Sequence, residues 1–232
     1  LELCGDNLSQ LSVSPLILKL HLGSGELGWS AQTFPRVCQR LSVYEGELYQ
    51  KAEAHFVHTD ITSLIPRNTN LFVTRVSGCA VFDWAHTVEI FRPFHEDMAP
   101  PVWSGDENGE VYFEQMLPDG KNKYAVAVKI VAREPDIERV TYKLPSKFNY
   151  NERKSGISKA KCTTFSSNIH CFGDMDIFVC VRSSHECENP LPEAIKELNN
   201  GIERGFESLE AENRKWWAEY WDKSAADFGT YT

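Results

Sequence analysis

The residues whose types could do chemistry are two neighbouring carboxylate pairs, Glu96 with Asp97 and Asp106 with Glu107, a histidine pair, His55 and His58 with Asp60 behind it, and four late cysteines. Glycosyl transfer needs two carboxyl groups about 5–10 Å apart across the scissile bond. With 33 Asp and Glu in 232 residues such neighbours arise by chance, so no catalytic residue is assigned to them. A His pair three apart would suit a metal on a helix, but the segment reads as a strand, where the two rings point to opposite faces. Cys162, Cys171, Cys180 and Cys187 are separated by eight, eight and six residues, with no Cys-x-x-Cys, so no zinc site is assigned. An odd total of seven cysteines leaves at least one thiol unpaired or intermolecular, and buried free thiols are the expected state. Cys162 and Cys171 are spaced to bridge neighbouring strands if oxidised. No Gly-x-Gly-x-x-Gly, Gly-Lys-Ser/Thr or Gly-x-Ser-x-Gly pattern occurs, so no cofactor, phosphate cradle or serine elbow is expected.

The most suggestive binding segment is 91–109, which reads as a long connection, a kind of segment that is often functional. Phe94 and Trp103 offer faces on which a sugar ring could stack, and Arg92 and His95, beside Glu96, Asp97 and Asp106, offer groups that bond hydroxyls. Arg92, Phe94, His95 and Trp103 are therefore the candidate sugar contacts. The competing and commoner expectation is that the aromatics tuck into the end of the domain.

The elements that must hold these residues are short strands. From Leu16 to about Ser184, apolar or alternating runs are punctuated by Gly, Pro, Asn and Asp, as in antiparallel β-structure. The runs 16–22, 40–44, 47–49, 71–76, 111–116, 123–131 and 176–182 read as strands. Glu45-Gly46 joins the second and third as a hairpin, and Leu117-Pro118-Asp119-Gly120-Lys121-Asn122 carries the strongest turn signal. No crossover helices separate the strands, so an all-β antiparallel sandwich is expected over residues 1–188. After Pro190 the pattern changes: Leu191, Ile195, Leu198, Ile202, Phe206 and Leu209 recur at three and four, with a polar lapse at Asn213. Residues 189–232 thus read as one helix, or as two broken near Asn199-Asn200-Gly201. A helix over 192–223 is about 48 Å long, against about 17–20 Å for a strand, so a sandwich face looks too short to cover it. Its last turns place Trp216, Trp217, Tyr220 and Trp221 within six residues, an apolar surface that needs a partner.

Composition bounds the partners. A formal charge of -9 repels phosphate backbones and anionic lipid, which argues against nucleic acid. No run approaches the roughly 20 apolar residues of a membrane span. Leu1 to Asp6 shows no initiating Met and no signal-peptide pattern, so the chain reads as part of a longer one and the compartment stays open, secretion or periplasmic export included.

The run Glu210 to Ser224, with Trp216-Trp217 followed by Tyr220-Trp221, resembles the linker helix of carbohydrate-active enzymes that join an N-terminal β-sandwich (supersandwich) to an (α/α)6 barrel, the six-hairpin glycosidase-like hydrolases and phosphorylases. Gln39 to Leu48 is similar to the "LDL-x-x-G-x-L" hairpin of those N-terminal domains, with Ser42 where Asp is usual. The resemblance implies that the acid and base lie in a barrel absent from these residues. It also implies an oligosaccharide or glycan substrate of the parent enzyme, interdomain contact through Trp216, Trp217, Tyr220 and Trp221, and scope for homodimer contacts. A stand-alone carbohydrate-binding or adhesion sandwich is the alternative, and a small self-contained hydrolase the third reading. Packing of the tryptophan cluster on its own sandwich would favour the module; exposure would favour the enzyme domain.

Overall fold

The computed structural model describes residues 17–21, 36–54, 57–78, 86–93, 102–105, 110–117, 119–132, 141–143, 164–171 and 174–224. Two antiparallel sheets result. The smaller has the order β1 (Ile17–His21), β6 (His86–Pro93), β11 (Thr164–Cys171), β10 (Thr141–Lys143). The larger runs β2 (Arg36–Ser42), β3 (Glu47–Ala54), β4 (Val57–Leu64), β5 (Leu71–Ser77), β12 (Met175–Ser183), β9 (Lys123–Ala132), β8 (Glu110–Met116), β7 (Val102–Gly105). The fold is an all-β sandwich followed by the helical α1 (Pro190–Ser224).

Register explains the burial of β12, unbroken from Met175 to Cys180. Met175, Ile177 and Val179 sit opposite Val76, Thr74 and Phe72 on one side and Ala132, Ile130 and Val128 on the other, a largely apolar face in which the Thr74 hydroxyl bonds Ser63. Phe178 and Cys180 share the other face with Leu71, Val73, Ala125 and Ala127, and there α1 adds Ala194, Leu198, Phe206 and Leu209. A strand covered on both faces reads as a continuous apolar run, as this one does from Ile177 to Val181, with the buried Asp176 before it held by Arg75.

The expectation that one face is too short for the helix does not hold. That argument measured the face along a strand, whereas α1 steps across strands: Glu197 pairs with Arg182 of β12, Gly201 lies on Leu71 of β5, and Arg214 reaches Glu47 of β3. The expected break near Gly201 is also corrected. Gly201 is helical, and a Cβ there would come within 2.6 Å of Leu71, so its glycine serves close approach to the sheet. The break falls at Gly205, whose φ of 76° and ψ of 161° belong to a region only glycine occupies readily. Arg75 closes the kink by stacking on Phe206 and bonding Asp176 and Glu207.

The hairpins follow their turn residues. Gly46, at φ 66°, closes β2–β3, and its N–H donates to the Ser42 carbonyl. At β8–β9 the Asp119 carboxylate accepts from the backbone N–H groups of Lys121 and Asn122. Segment 91–109, expected to be one long connection, instead contains the end of β6 and all of β7. His55 and Cys162 lie outside the described residues.

Candidate functional site

The tryptophan cluster is set on the tip of the β2–β3 hairpin by polar anchors that the helical period alone does not announce. Asn213, buried at a position where the apolar stripe lapses, donates from Nδ2 to the carbonyls of Glu45 (2.9 Å) and Gly46 (3.4 Å). Arg214 makes a two-pronged pair with Glu47, Nε to Oε1 at 2.7 Å and Nη2 to Oε2 at 2.9 Å, although Glu47 is wholly buried at the hairpin base. Tyr49 completes this hub, donating from Oη to Glu47 Oε2 and accepting from Arg214. Burial, then the Glu47 hydrogen bond, pushes the Tyr49 phenol up to about 12. Hydrogen bonding to Glu47 raises Arg214 and holds it protonated. Glu210, 3.0 Å from Arg214, is raised by burial, which outweighs the guanidinium. Glu45 is lowered, chiefly by a hydrogen bond from Ser42. Ser42, the departure from the expected Asp, thus bonds within the turn.

Above this hub the rings interlock. Trp216 stacks on Tyr220 at 5.3 Å, Trp217 on Trp221 at 6.2 Å, and Tyr44 meets Trp221 at 5.4 Å. Trp221 Nε1 donates to the Val43 carbonyl at 3.0 Å. Trp217 lies so close over Gly46 that any Cβ there would collide with the indole. Arg67, from the β4–β5 turn, stacks its guanidinium 4.0 Å from Trp216 and 5.8 Å from Trp217. The cluster therefore packs on its own sandwich yet stays partly open: Trp216, Trp217 and Trp221 are half-buried and Tyr220 is exposed.

Beside Trp217 an open groove of about 550 Å³ runs between the hairpin and the β4–β5 turn, lined chiefly by Leu41, Val43, Leu48, Ile65, Pro66 and Phe72. Leu41, Val43, Tyr44 and Ile65 are each more than half exposed. The hydroxyls that reach the groove are already engaged: Ser63 with Thr74 at 2.6 Å, Thr69 with the Pro66 carbonyl at 2.8 Å, and Ser42 with Glu45. A sugar ring needs several hydroxyl partners, and this lining is better fitted to an apolar surface.

The other candidates lie elsewhere. Arg92 stands on β6 of the four-stranded sheet, opposite Phe165, and Trp103 on β7, opposite Phe113, at the far edge of the eight-stranded sheet from β2. Phe94 and His95 lie outside the described residues. His58 bonds Asp60 at 2.9 Å and sits 3.7 Å from Glu53. Among the described residues no group of three or more His, Cys, Asp or Glu could hold a metal, and no helix is long and apolar enough to cross a membrane. Sequence reasoning found the four aromatics and the Gly46 turn but missed Glu47, Asn213, Arg214 and Arg67. Asn213 left a signal, the lapse in the stripe; Arg67 left none.

No protein-family model matches the chain, and no curated protein matches it in sequence. A solved structure described as "Putative kojibiose phosphorylase from human microbiome" matches 90% of this chain at a TM-score of 0.59 and 9% identity. The chain spans only 28% of that protein's length. Its sandwich and trailing helix are thus similar in fold to about a quarter of a phosphorylase.

Proposed function

We propose that this chain is a non-catalytic β-sandwich domain of a carbohydrate-active enzyme, residues 1–188 forming the sandwich and 189–232 the helical link to a domain that carries the chemistry. The observation that carries this reading is the fold likeness itself, which covers nearly all of this chain and about a quarter of the phosphorylase. The tryptophan cluster divides between the readings: its seat on the β2–β3 hairpin is what a stand-alone carbohydrate-binding module would show, and its open side, with Tyr220 exposed, is the surface the enzyme-domain reading uses. On this reading the substrate is an oligosaccharide or glycan, and water or phosphate attacks it outside these residues. Trp216, Trp217, Tyr220 and Trp221 then serve interdomain contact, and Arg92 on β6, Trp103 on β7, and Phe94 and His95 outside the described residues stay separate candidates for sugar contact.

The test is to read the coding sequence beyond Thr232, then to assay disaccharides with and without inorganic phosphate. A helix-rich continuation whose polypeptide releases or phosphorylates sugar, while the 232-residue chain does neither, is the expected result. A coding sequence that stops there, or turnover by the 232-residue chain, overturns the proposal.

A further inference from the structure

We propose that the groove beside Trp217 seats an apolar helix face of the domain that follows in the same polypeptide, with a carboxylate of that domain paired to Arg67. This rests on the proposed function above and adds where, and by what chemistry, the two parts meet.

Three observations choose the occupant. The lining is chiefly apolar and its hydroxyls bond within the protein, so a hydroxylated ligand would find only Arg67 and Asn68 to replace its water partners. The exposed Leu41, Val43 and Ile65 gather around one groove, the arrangement of a protein contact rather than of scattered surface residues. Arg67 stands at the rim on the faces of Trp216 and Trp217, and among the described residues no carboxylate lies within ion-pair distance of it. Exposed at the rim, its guanidinium is free to pair with a carboxylate of what docks.

Position favours a partner in cis. One wall of the groove is Trp217, on the last turns of α1, so a domain joined through α1 is tethered within reach of the groove at raised effective concentration. A second copy fits less well. Each chain carries a formal charge of -9, and a two-fold contact centred on the groove would set Arg67 against its own mate.

The experiment compares hydroxyl-radical oxidation of the 232-residue chain with that of the polypeptide continued through the following domain. Leu41, Ile65 and Trp217 are expected to oxidise at least fivefold more slowly in the longer protein. The double variant Leu41→Asp/Ile65→Asp should abolish that protection while leaving the melting temperature of the 232-residue chain unchanged, because both side chains are exposed. Arg67→Glu should weaken protection several-fold, and Arg67→Lys should keep more of it than Arg67→Glu does. Equal oxidation in both proteins, or protection indifferent to the variants, overturns the groove while leaving the proposed function standing. Protection that appears in the 232-residue chain with rising concentration assigns the groove to a second copy and also overturns it. A coding sequence without a following domain removes both readings together.

Discussion

At the scale of the residue, the decisive group is Glu47, a carboxylate with no exposed surface that is held by Arg214 and Tyr49. Removing one partner of a buried pair costs more than the pair contributes, because the remaining charge is stranded. Arg214→Met should therefore cost about 3 kcal/mol of stability, read by urea denaturation. Glu47→Gln/Arg214→Met should recover part of that loss, and a double variant no better than the single would refute the account. Glu210 has the opposite sign. Burial raises its carboxyl, so the stability it contributes is full below the unfolded-state value and is lost as pH rises through the folded one. Glu210→Gln should accordingly leave stability unchanged in acid and raise it near neutrality, flattening the profile between the two; a variant that destabilises equally at every pH would contradict this. Little of this hub was legible in the sequence. Glu47 is one of 33 acidic residues, and its burial arises from a helix that arrives 167 positions later.

At the scale of the element, the hairpin and helix end are fitted to each other through a missing side chain. Gly46 is required twice, by its positive φ and by the indole of Trp217 where a Cβ would stand. Gly46→Ala should cost about 2–4 kcal/mol, more than the ~1–2 expected from backbone conformation alone, and should shift tryptophan emission as the ring is displaced. Unchanged emission would separate the two causes in favour of the backbone. Gly205→Ala tests the kink: at φ 76°, ψ 161° an alanine is strained, and a loss of about 1–3 kcal/mol in thermal unfolding is expected. Strands, hairpin turns and the helical stripe were readable because each is written in local periodicity and in Gly, Asn and Asp. The path of α1 was not. Its break depends on where Arg75 and Phe206 meet, and its coverage depends on a sheet eight strands wide, neither of which is a property of any window of sequence.

At the scale of the whole molecule, the question is whether the aromatic end of α1 completes the sandwich or waits for something else, and the structure places it between the two. Its polar anchors and ring stacks are internal, while Tyr220 and the groove beside Trp217 stay open to solvent. Such a surface is stable enough to exist in the 232-residue chain yet apolar enough to bind an apolar probe. The chain should therefore enhance anilinonaphthalene sulfonate fluorescence while keeping a cooperative unfolding transition and intact near-ultraviolet circular dichroism, which separates a native groove from a loosened core. Leu41→Asp/Ile65→Asp should remove most of that enhancement without moving the transition, since it charges two rim residues and leaves the core face of Leu198, Phe206 and Leu209 untouched. If the proposed following domain covers the groove, joining it should remove the enhancement as well. If the dye instead binds the double variant as strongly as the parent, the apolar surface lies elsewhere, and the link between the tryptophan helix and an interdomain contact loses its physical basis.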